Sequence, residues 1–306
     1  MAEISIVMAT YNGGAYLEEQ LDSLFKNTYT DWILEVSDDG STDKTLKILG
    51  EYKEKYPDKI FVHRNYEQLG ATRNFLEAAA RAKGNYVMFC DQDDVWFPDK
   101  IEKTLAFMKE REKLADNIPI AVFTDAKPVD AVLRTIYESF FAYNVLDVTK
   151  TDLPHLLMEN KVIGCTTMIN RNLINRLTEL PNCARHHDWW VALIASVFGD
   201  LACLDEVTML YRLHGDNVVG SQSFFSYVID RIKNIKVQKK ALIKTEKQAW
   251  EFYEIYKQYI LEEQAQILQD FAYIHGQNWI ERRDRLFRHG FWKTGKARNI
   301  GVFFLI

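Results

Sequence analysis

The stretch "YVMFCDQDDVWFPDK", residues 86–100, places Asp91, Asp93 and Asp94 directly after the apolar run Tyr86–Cys90. That run reads as a short buried strand of high β-propensity. Three like charges at the end of a buried strand repel one another unless something positive sits among them. Asp91 and Asp93 form a D-x-D pair of hard oxygen ligands suited to Mg²⁺ or Mn²⁺, ions that bridge carboxylates to the phosphates of a ligand. A solvated loop capped by acids is the plainer alternative, since Asp is common in turns. The place of these acids, at the ligand edge of a central strand, favours the cation.

Four other groups could do chemistry. In "SDDGSTD", residues 37–43, Asp38 and Asp39 precede Gly40. A carboxylate there could accept a hydrogen bond from a pyrimidine imide N–H, and a turn followed by a helix N-cap at Ser41 or Thr42 is equally compatible. In "HHDWW", residues 186–190, Trp189 and Trp190 could desolvate Asp188 and bring it toward general-base range. A packed core with Asp188 as the N-cap of the helix "WWVALIASVFG" fits those residues better when they are taken alone. His214, in "YRLHGDNVVG", follows a strand-like run near a possible domain junction, which keeps a metal or phosphate role open. Finally, "NKVIGCTTMINR", residues 160–171, sets Gly164, Cys165 and Thr166 between two apolar stretches, as a strand with a tight bend would.

The elements that must position these groups alternate. "ISIVMA" is a strand followed by an "NGG" turn, and Leu17, Leu21, Leu24 and Phe25 mark a helix. "WILEVS" and "IFVHR" are further strands, with Leu46, Leu49 and Tyr52 marking the helix between them. "TRNFLEAAARA" is a helix that Gly84 would close as a C-cap. Ile101, Leu105 and Met108 mark the helix after the acidic strand, and "IAVFTD" is another strand. Strand–helix alternation predicts an α/β fold with a mostly parallel central sheet. In such sheets ligands sit at the carboxyl ends of the strands. "TYNGG", "SDDGSTD" and "DQDD" should therefore converge on one site. From about Phe224 the texture becomes helical, with Val228, Ile229, Ile232 and Ile235 and then Trp250, Tyr253 and Tyr256 at helical spacing. The expected division is a catalytic domain over residues 1–220 and a helical C-terminal region over residues 221–306.

Bulk properties narrow the classes. The 306 residues are 47% hydrophobic and 26% charged, ordinary for a globular protein, and the net charge of −5 gives no nucleic-acid signature. Cys90, Cys165, Cys183 and Cys203 form no C-x-x-C pair and read as reduced buried thiols of a cytosolic protein. Cys183 near His186 and His187 lacks the second ligand pair of a zinc finger. No signal peptide or membrane-length apolar run is legible.

Taken in order, "SIVMATYNGG", "DDGSTD", "GATRNF", "DQDDVW", "HHDWW" and "YRLHGDNVVG" resemble the motifs of family 2 glycosyltransferases, over residues 4–220. The likeness is strongest to bacterial rhamnosyltransferases of cell-wall polysaccharide synthesis, extending to "LDEVTMLYR" and "FRHGFWKTGKARN". The resemblance implies a Rossmann-like nucleotide-diphosphosugar-binding domain and inversion at the anomeric carbon. It implies that Thr10, Tyr11, Asn12, Asp39, Arg73, Asn74, Asp91 and Gln92 meet the nucleotide sugar. It makes Asp91 and Asp93 ligands of Mn²⁺ or Mg²⁺, with His214 at a position that reaches the metal or the diphosphate. Asp188 matches the catalytic base, which reverses the preference reached from its neighbours. Gly164, Cys165, Thr166 and Trp189 fall on the acceptor side. The implied donor is dTDP-rhamnose, with a UDP-hexose or UDP-HexNAc as the alternative. The implied acceptor is a glycan or an undecaprenyl-diphosphate-linked saccharide, an alpha-1,3 bond being one option for the linkage. The Q-x-x-R-W motif of processive synthases is absent after "HDWW", so addition of one or a few sugars is expected.

Two readings from other classes compete. "DQDDV" satisfies the D-x-D-x-[TV] pattern of haloacid-dehalogenase-like phosphatases, with Asp91 as nucleophile, although that family usually carries it on its first strand. A non-catalytic nucleotide-sugar-binding module would bind donor without turnover. A dinucleotide-binding oxidoreductase is disfavoured, since no G-x-G-x-x-G follows the first strand. In the C-terminal segment, basic residues interleaved with Trp279, Phe287, Phe291 and Trp292 suit either an anionic membrane surface, at the inner face of a bacterial membrane, or a solvated helix face. A homo-oligomer contact in this region is a further option.

Overall fold

The computed structural model describes residues 2–214 and 235–306. The chain divides into two compact units: Met1–Asn144, Val162–Leu180 and His186–Arg212 form the first, and Val145–Lys161, Pro181–Arg185 and Leu213–Ile306 the second. Val228, Ile229 and Ile232, and residues 215–220 of the His214 motif, lie outside the described residues.

The first unit is built on an eight-stranded sheet: β1 (Ile4–Thr10), β2 (Trp32–Asp38), β3 (Ile60–Arg64), β4 (Tyr86–Cys90), β5 (Val95–Trp96), β6 (Ile120–Val129), β7 (Met168–Asn170) and β8 (Asp200–Arg212). Its order is β3-β2-β1-β4-β7-β6-β8-β5. Neighbours pair in parallel except where β7 lies between β4 and β6 and where β5 meets β8. β1 and β4 are apolar on both faces, as buried parallel strands are: Ile4, Ile6, Val7, Met8 and Val87, Met88, Phe89, Cys90 have no exposed surface. The carboxyl ends of β2, β1 and β4 are therefore adjacent, and the three loops predicted to converge leave from one edge.

Helices α1 (Leu17–Phe25), α2 (Thr45–Lys55), α3 (Ala71–Arg81) and α4 (Lys100–Leu114) connect these strands, followed by α5 (Phe140–Asn144), α6 (Leu153–Met158), α7 (Arg171–Ile174) and α8 (His187–Phe198). The C-terminal helices are α9 (Ile235–Tyr256), α10 (Glu262–Ala272), α11 (Trp279–His289) and α12 (Lys296–Leu305). In the second unit α6 packs with α9 and α10.

Three local expectations are corrected. Gly84 does not cap α3: the C-cap is Ala82, in extended conformation. Gly84 is instead pressed against β1, where a Cβ would lie 2.6 Å from Ser5 N, and its own N–H donates to Ser5 Oγ at 3.1 Å. Neither Ser41 nor Thr42 caps α2, whose N-cap is Lys44. Asp188 does not cap α8 but lies within its first turn, one residue after His187 opens the helix. Gly84→Ala is expected to destabilise the fold by about 1–3 kcal/mol through overpacking, read as a lowered urea midpoint with an unchanged slope.

Candidate active site

The loops at the sheet edge are bonded to one another side chain by side chain. Asp38, at the end of β2, has no exposed side-chain surface. It accepts from Thr10 Oγ1 at 2.9 Å, from Ser41 Oγ at 2.5 Å, and from the N–H groups of Gly40 and Ser41 at 3.2 and 3.0 Å. Asn12, at φ +49, accepts from Thr42 N at 2.8 Å and donates its own N–H to Ser41 Oγ at 2.9 Å. Asn is among the few non-glycine residues that hold this left-handed backbone readily. The Gln92 amide pairs with both backbone groups of Tyr11, accepting at 3.0 Å and donating at 3.1 Å. That pairing requires Gly13, because a Cβ there would overlap the Gln92 side chain.

Among the residues expected to meet a nucleotide sugar, Thr10, Asn12, Gln92 and Asn74 thus serve the frame. Buried Asn74 donates to Ser37 O at 2.8 Å and accepts from Asn65 Nδ2 at 2.9 Å. Asp39 is buried and accepts from Asn65 Nδ2, Leu69 N and Gly70 N at 3.0, 2.8 and 2.8 Å. A carboxylate has about four acceptor positions, so one remains for an imide N–H. Tyr11 is 48% exposed at the mouth of the edge. Arg73, half-exposed on α3, pairs with Glu77 at 2.7 Å.

The acids lie at the end of β4. Ligand atoms of Asp91, Asp94 and Cys165 lie within 4.8 Å of one another, the one such grouping of three found among the described residues. Asp94 is 1% exposed; its Oδ1 accepts from Arg212 N at 3.0 Å, and its Oδ2 is buried without a hydrogen bond. Asp93 is close enough for its charge to act on both Asp91 and Asp94. The Asp91 carboxyl is pushed up to about 7 by burial, then by the charges of Asp93 and Asp188. Burial, followed by Asp93 and Asp91, holds Asp94 well above the carboxylate range. Burial and the same acids keep the Cys165 thiol protonated.

Part of the positive charge that these acids require comes from the protein. Lys100, the last residue of the acidic stretch, is fully buried, donates to Thr208 Oγ1 at 3.1 Å and lies over the Trp96 ring at 4.8 Å. Burial lowers its ammonium to about 8. Arg212, at the end of β8, donates from Nε to Asp93 O at 2.6 Å and from Nη1 to Ala131 O at 2.5 Å, and its Nη2 pairs with Glu19. Sequence reasoning passed over both, although each lies in a motif it singled out. Even with these two cations nearby, burial and mutual repulsion raise Asp91 and Asp94 toward their protonated forms, and a bound cation would take the place of those protons. With the unmatched Asp94 Oδ2, that makes a divalent cation chemically suited to the cluster. The group whose ligand atoms lie together is Asp91, Asp94 and Cys165, and Asp93 acts on it through its charge.

Asp188 reaches this cluster from a distant part of the chain, since its charge acts directly on Asp91. Its Oδ1 accepts from Trp189 N at 2.6 Å. The wall behind it is a 3-10 turn, Gly164–Thr166, where a bend within a strand was expected. A Cβ on Gly164 would lie 2.6 Å from His187 Nε2 and 3.5 Å from Asp188 Cβ, so only glycine lets α8 come this near. Thr166 and Trp189 are buried and shape this wall from inside, Thr166 donating to Ile163 O at 2.8 Å. His187 stacks on Phe75 at 4.1 Å. His214 belongs to the second unit.

Residues 5–168 match the model of glycosyl transferase family 2. The chain belongs to this family. It is 31% identical over 222 residues to TuaG of Bacillus subtilis, named for teichuronic acid biosynthesis, covering 70% of this chain and 81% of TuaG. It is 29% identical over 238 residues to the dTDP-rhamnosyl transferase RfbG of Shigella flexneri, covering 74% and 78%. Among solved structures, Staphylococcus aureus TarS superposes with a TM-score of 0.56 at 17% identity, covering 89% of this chain and 43% of that TarS chain. The mannosyltransferase PcManGT of Pyrobaculum calidifontis, in complex with GDP-Man and Mn²⁺, gives 0.56 at 18%, covering 98% and 78%. The fold is thus that of sugar transferases, and the chain is a glycosyltransferase. The phosphatase alternative is not favoured, because Asp91 follows the fourth strand of this fold and not the first.

The buried ring of His187 yields a pH prediction. Burial, then the charge of His186, depresses it to about 3, against about 6.5 for an unfolded histidine. Its neutral form contributes stability in full above pH ~6.5, and this is lost as pH falls toward 3, by up to about 1.4 kcal/mol per pH unit. His187→Phe is expected to flatten the decline of stability over that window, measured by urea unfolding at a series of pH values.

Proposed function

We propose that this family 2 enzyme transfers a sugar, with inversion, from a nucleoside diphosphate donor to a hydroxyl of a growing cell-surface polysaccharide or its lipid-linked precursor. The observation that carries the reading is the pairing of Asp188, in the first turn of α8, with Asp91, at the end of β4. A carboxylate suited to take a proton then stands beside carboxylates suited to a cation. The first turn of α8 attracts the negative charge of Asp188.

In the reaction, Asp188 takes the proton of the acceptor hydroxyl as its oxygen bonds to the anomeric carbon. The bond from that carbon to the diphosphate oxygen breaks on the opposite face, and its electron pair leaves with the nucleoside diphosphate. Mn²⁺ or Mg²⁺ held by Asp91 and Asp93 would supply Lewis-acid stabilisation of that departing charge. Asp39 receives the imide N–H of a pyrimidine base at its remaining acceptor position. Tyr11 and Arg73 flank the nucleotide, while Asn12, Asn74 and Gln92 hold its loops in shape. No nucleophilic side chain is needed.

The likeness to RfbG favours dTDP-rhamnose as donor, and that to TuaG supports a role in cell-wall polysaccharide synthesis. A UDP-sugar is the second reading, supported by the TarS fragment of residues 1–349 solved with UDP-GlcNAc, which has a TM-score of 0.55 and covers 95% of this chain.

Asp188→Asn should lower transfer by about 10²–10⁴-fold, the usual contribution of an acid–base group, with donor binding nearly unchanged. Wild-type-like turnover in that variant would remove Asp188 from the mechanism. In a thermal-shift screen, dTDP-rhamnose should raise the melting temperature only when Mn²⁺ or Mg²⁺ is present, because ligands that bind the folded state stabilise it. Asp93→Asn should abolish that shift.

A further inference from the structure

The second unit carries a cavity whose lining residues all belong to that unit. It measures about 590 Å³ and is lined by Lys150, Lys293 and Lys296 together with Trp292, Phe303 and Phe304. The turn that bears two of these lysines is fixed from beneath. Glu159 accepts from Thr294 N at 3.0 Å and from Arg298 Nη1 at 2.8 Å, and pairs with the fully buried Lys161. Gly295, at φ +90, then sends the chain into α12. The lysines therefore stand on a built platform. Asp147, the acid in the lining, accepts from Thr149 N and Oγ1 at 3.1 and 2.6 Å, and its other oxygen lies 4.0 Å from Lys150 Nζ, a loose ion pair that offsets that lysine in part.

An aromatic shelf adjoins the cavity. The buried Arg283 guanidinium lies 4.5 Å from the Trp279 ring and 5.0 Å from the Phe303 ring, and donates to Ile306 O at 2.9 Å. Phe287 meets Trp292 at 5.2 Å, and Phe303 meets Phe304 at 5.4 Å. The outer members stay open: Trp279 is 61%, Phe287 63%, Ile300 63% and Phe304 75% exposed. Large apolar groups gathered this way mark a docking surface.

Charge selects what docks there. Residues 279–306 hold seven Arg and Lys against two acids, in a chain of net charge −5. Basic side chains beside exposed rings match a surface of phosphates over an apolar interior. A second copy of the chain meeting this patch across a twofold axis would set like charge against like. A nucleic-acid strand would give the aliphatic Ile300 nothing to stack on.

We propose that this face of the second unit docks on an anionic membrane surface, Lys150, Lys293 and Lys296 receiving lipid phosphates while Ile300 and Phe304 enter the headgroup boundary. It holds whichever donor and acceptor the enzyme uses. The test is co-sedimentation of the full chain with vesicles of phosphatidylcholine alone or mixed with phosphatidylglycerol. Binding is expected to the mixed vesicles, weakly or not at all to phosphatidylcholine alone, and to fall as salt rises. A Lys150→Glu, Lys293→Glu, Lys296→Glu variant should bind at least about a hundredfold more weakly, and Phe304→Asp with Ile300→Asp should also weaken binding. Both variants should keep the wild-type melting temperature and donor-induced thermal shift, which separates lost docking from lost folding. Equal binding to both vesicle types, or an unaffected lysine variant, would overturn the proposal. So would binding of inorganic pyrophosphate at the cavity without vesicle binding, which points to a soluble anion. Dimerisation abolished by the same substitutions would overturn it in favour of a second copy of the chain.

Discussion

Three carboxylates gathered at the end of a buried strand constrain everything around them. Ionised side by side away from water, they would repel strongly enough to force the loop apart or to take up protons. The fold answers with Lys100 from the start of α4 and Arg212 from the end of β8, both buried. Arg212 also ties the acidic loop to Ala131 and to Glu19 on α1. Its planar fork serves several acceptors in a fixed geometry. Compensation is incomplete, and the crowding that remains keeps Asp91 and Asp94 above the usual carboxylate range.

The loops at the sheet edge show a second economy. Several side chains that resemble ligand contacts are engaged with neighbouring loops: Asn12 with Thr42, Gln92 with Tyr11, Asn74 with Ser37. A site bonded to itself in this way is shaped before any ligand arrives, so less ordering is left to do on binding. The groups left facing outward, Tyr11 and Arg73 among them, are then few and fixed in place. Gly13 and Gly164 serve the same end, each marking a point where a Cβ would prevent two segments from closing.

Much of this was legible in the chain. The alternation of apolar runs and helical spacing is a local consequence of side-chain periodicity, and it identified β1 to β4 and their helices. The D-x-D pair declared itself because like charges next to a buried strand need a reason. Less local features escaped. Gly84 looked like a helix cap because glycine after a helix usually is one, whereas its cause is the approach of β1. Asp188 looked like an N-cap because nothing adjacent to it says which residue opens α8.

The amino-acid sequence by itself determined the fold class and the strand-end origin of the acidic loop, because both follow from residue kind and short-range spacing. Only the tertiary structure decided that Asp188, Cys165, Lys100 and Arg212 close around Asp91 and Asp94. Those neighbours come from separate strands, helices and turns, and strand order, which no local pattern encodes, is what sets them side by side. The same holds for the lysines and rings of the C-terminal unit, where composition shows charge and aromaticity but packing alone places them on one face.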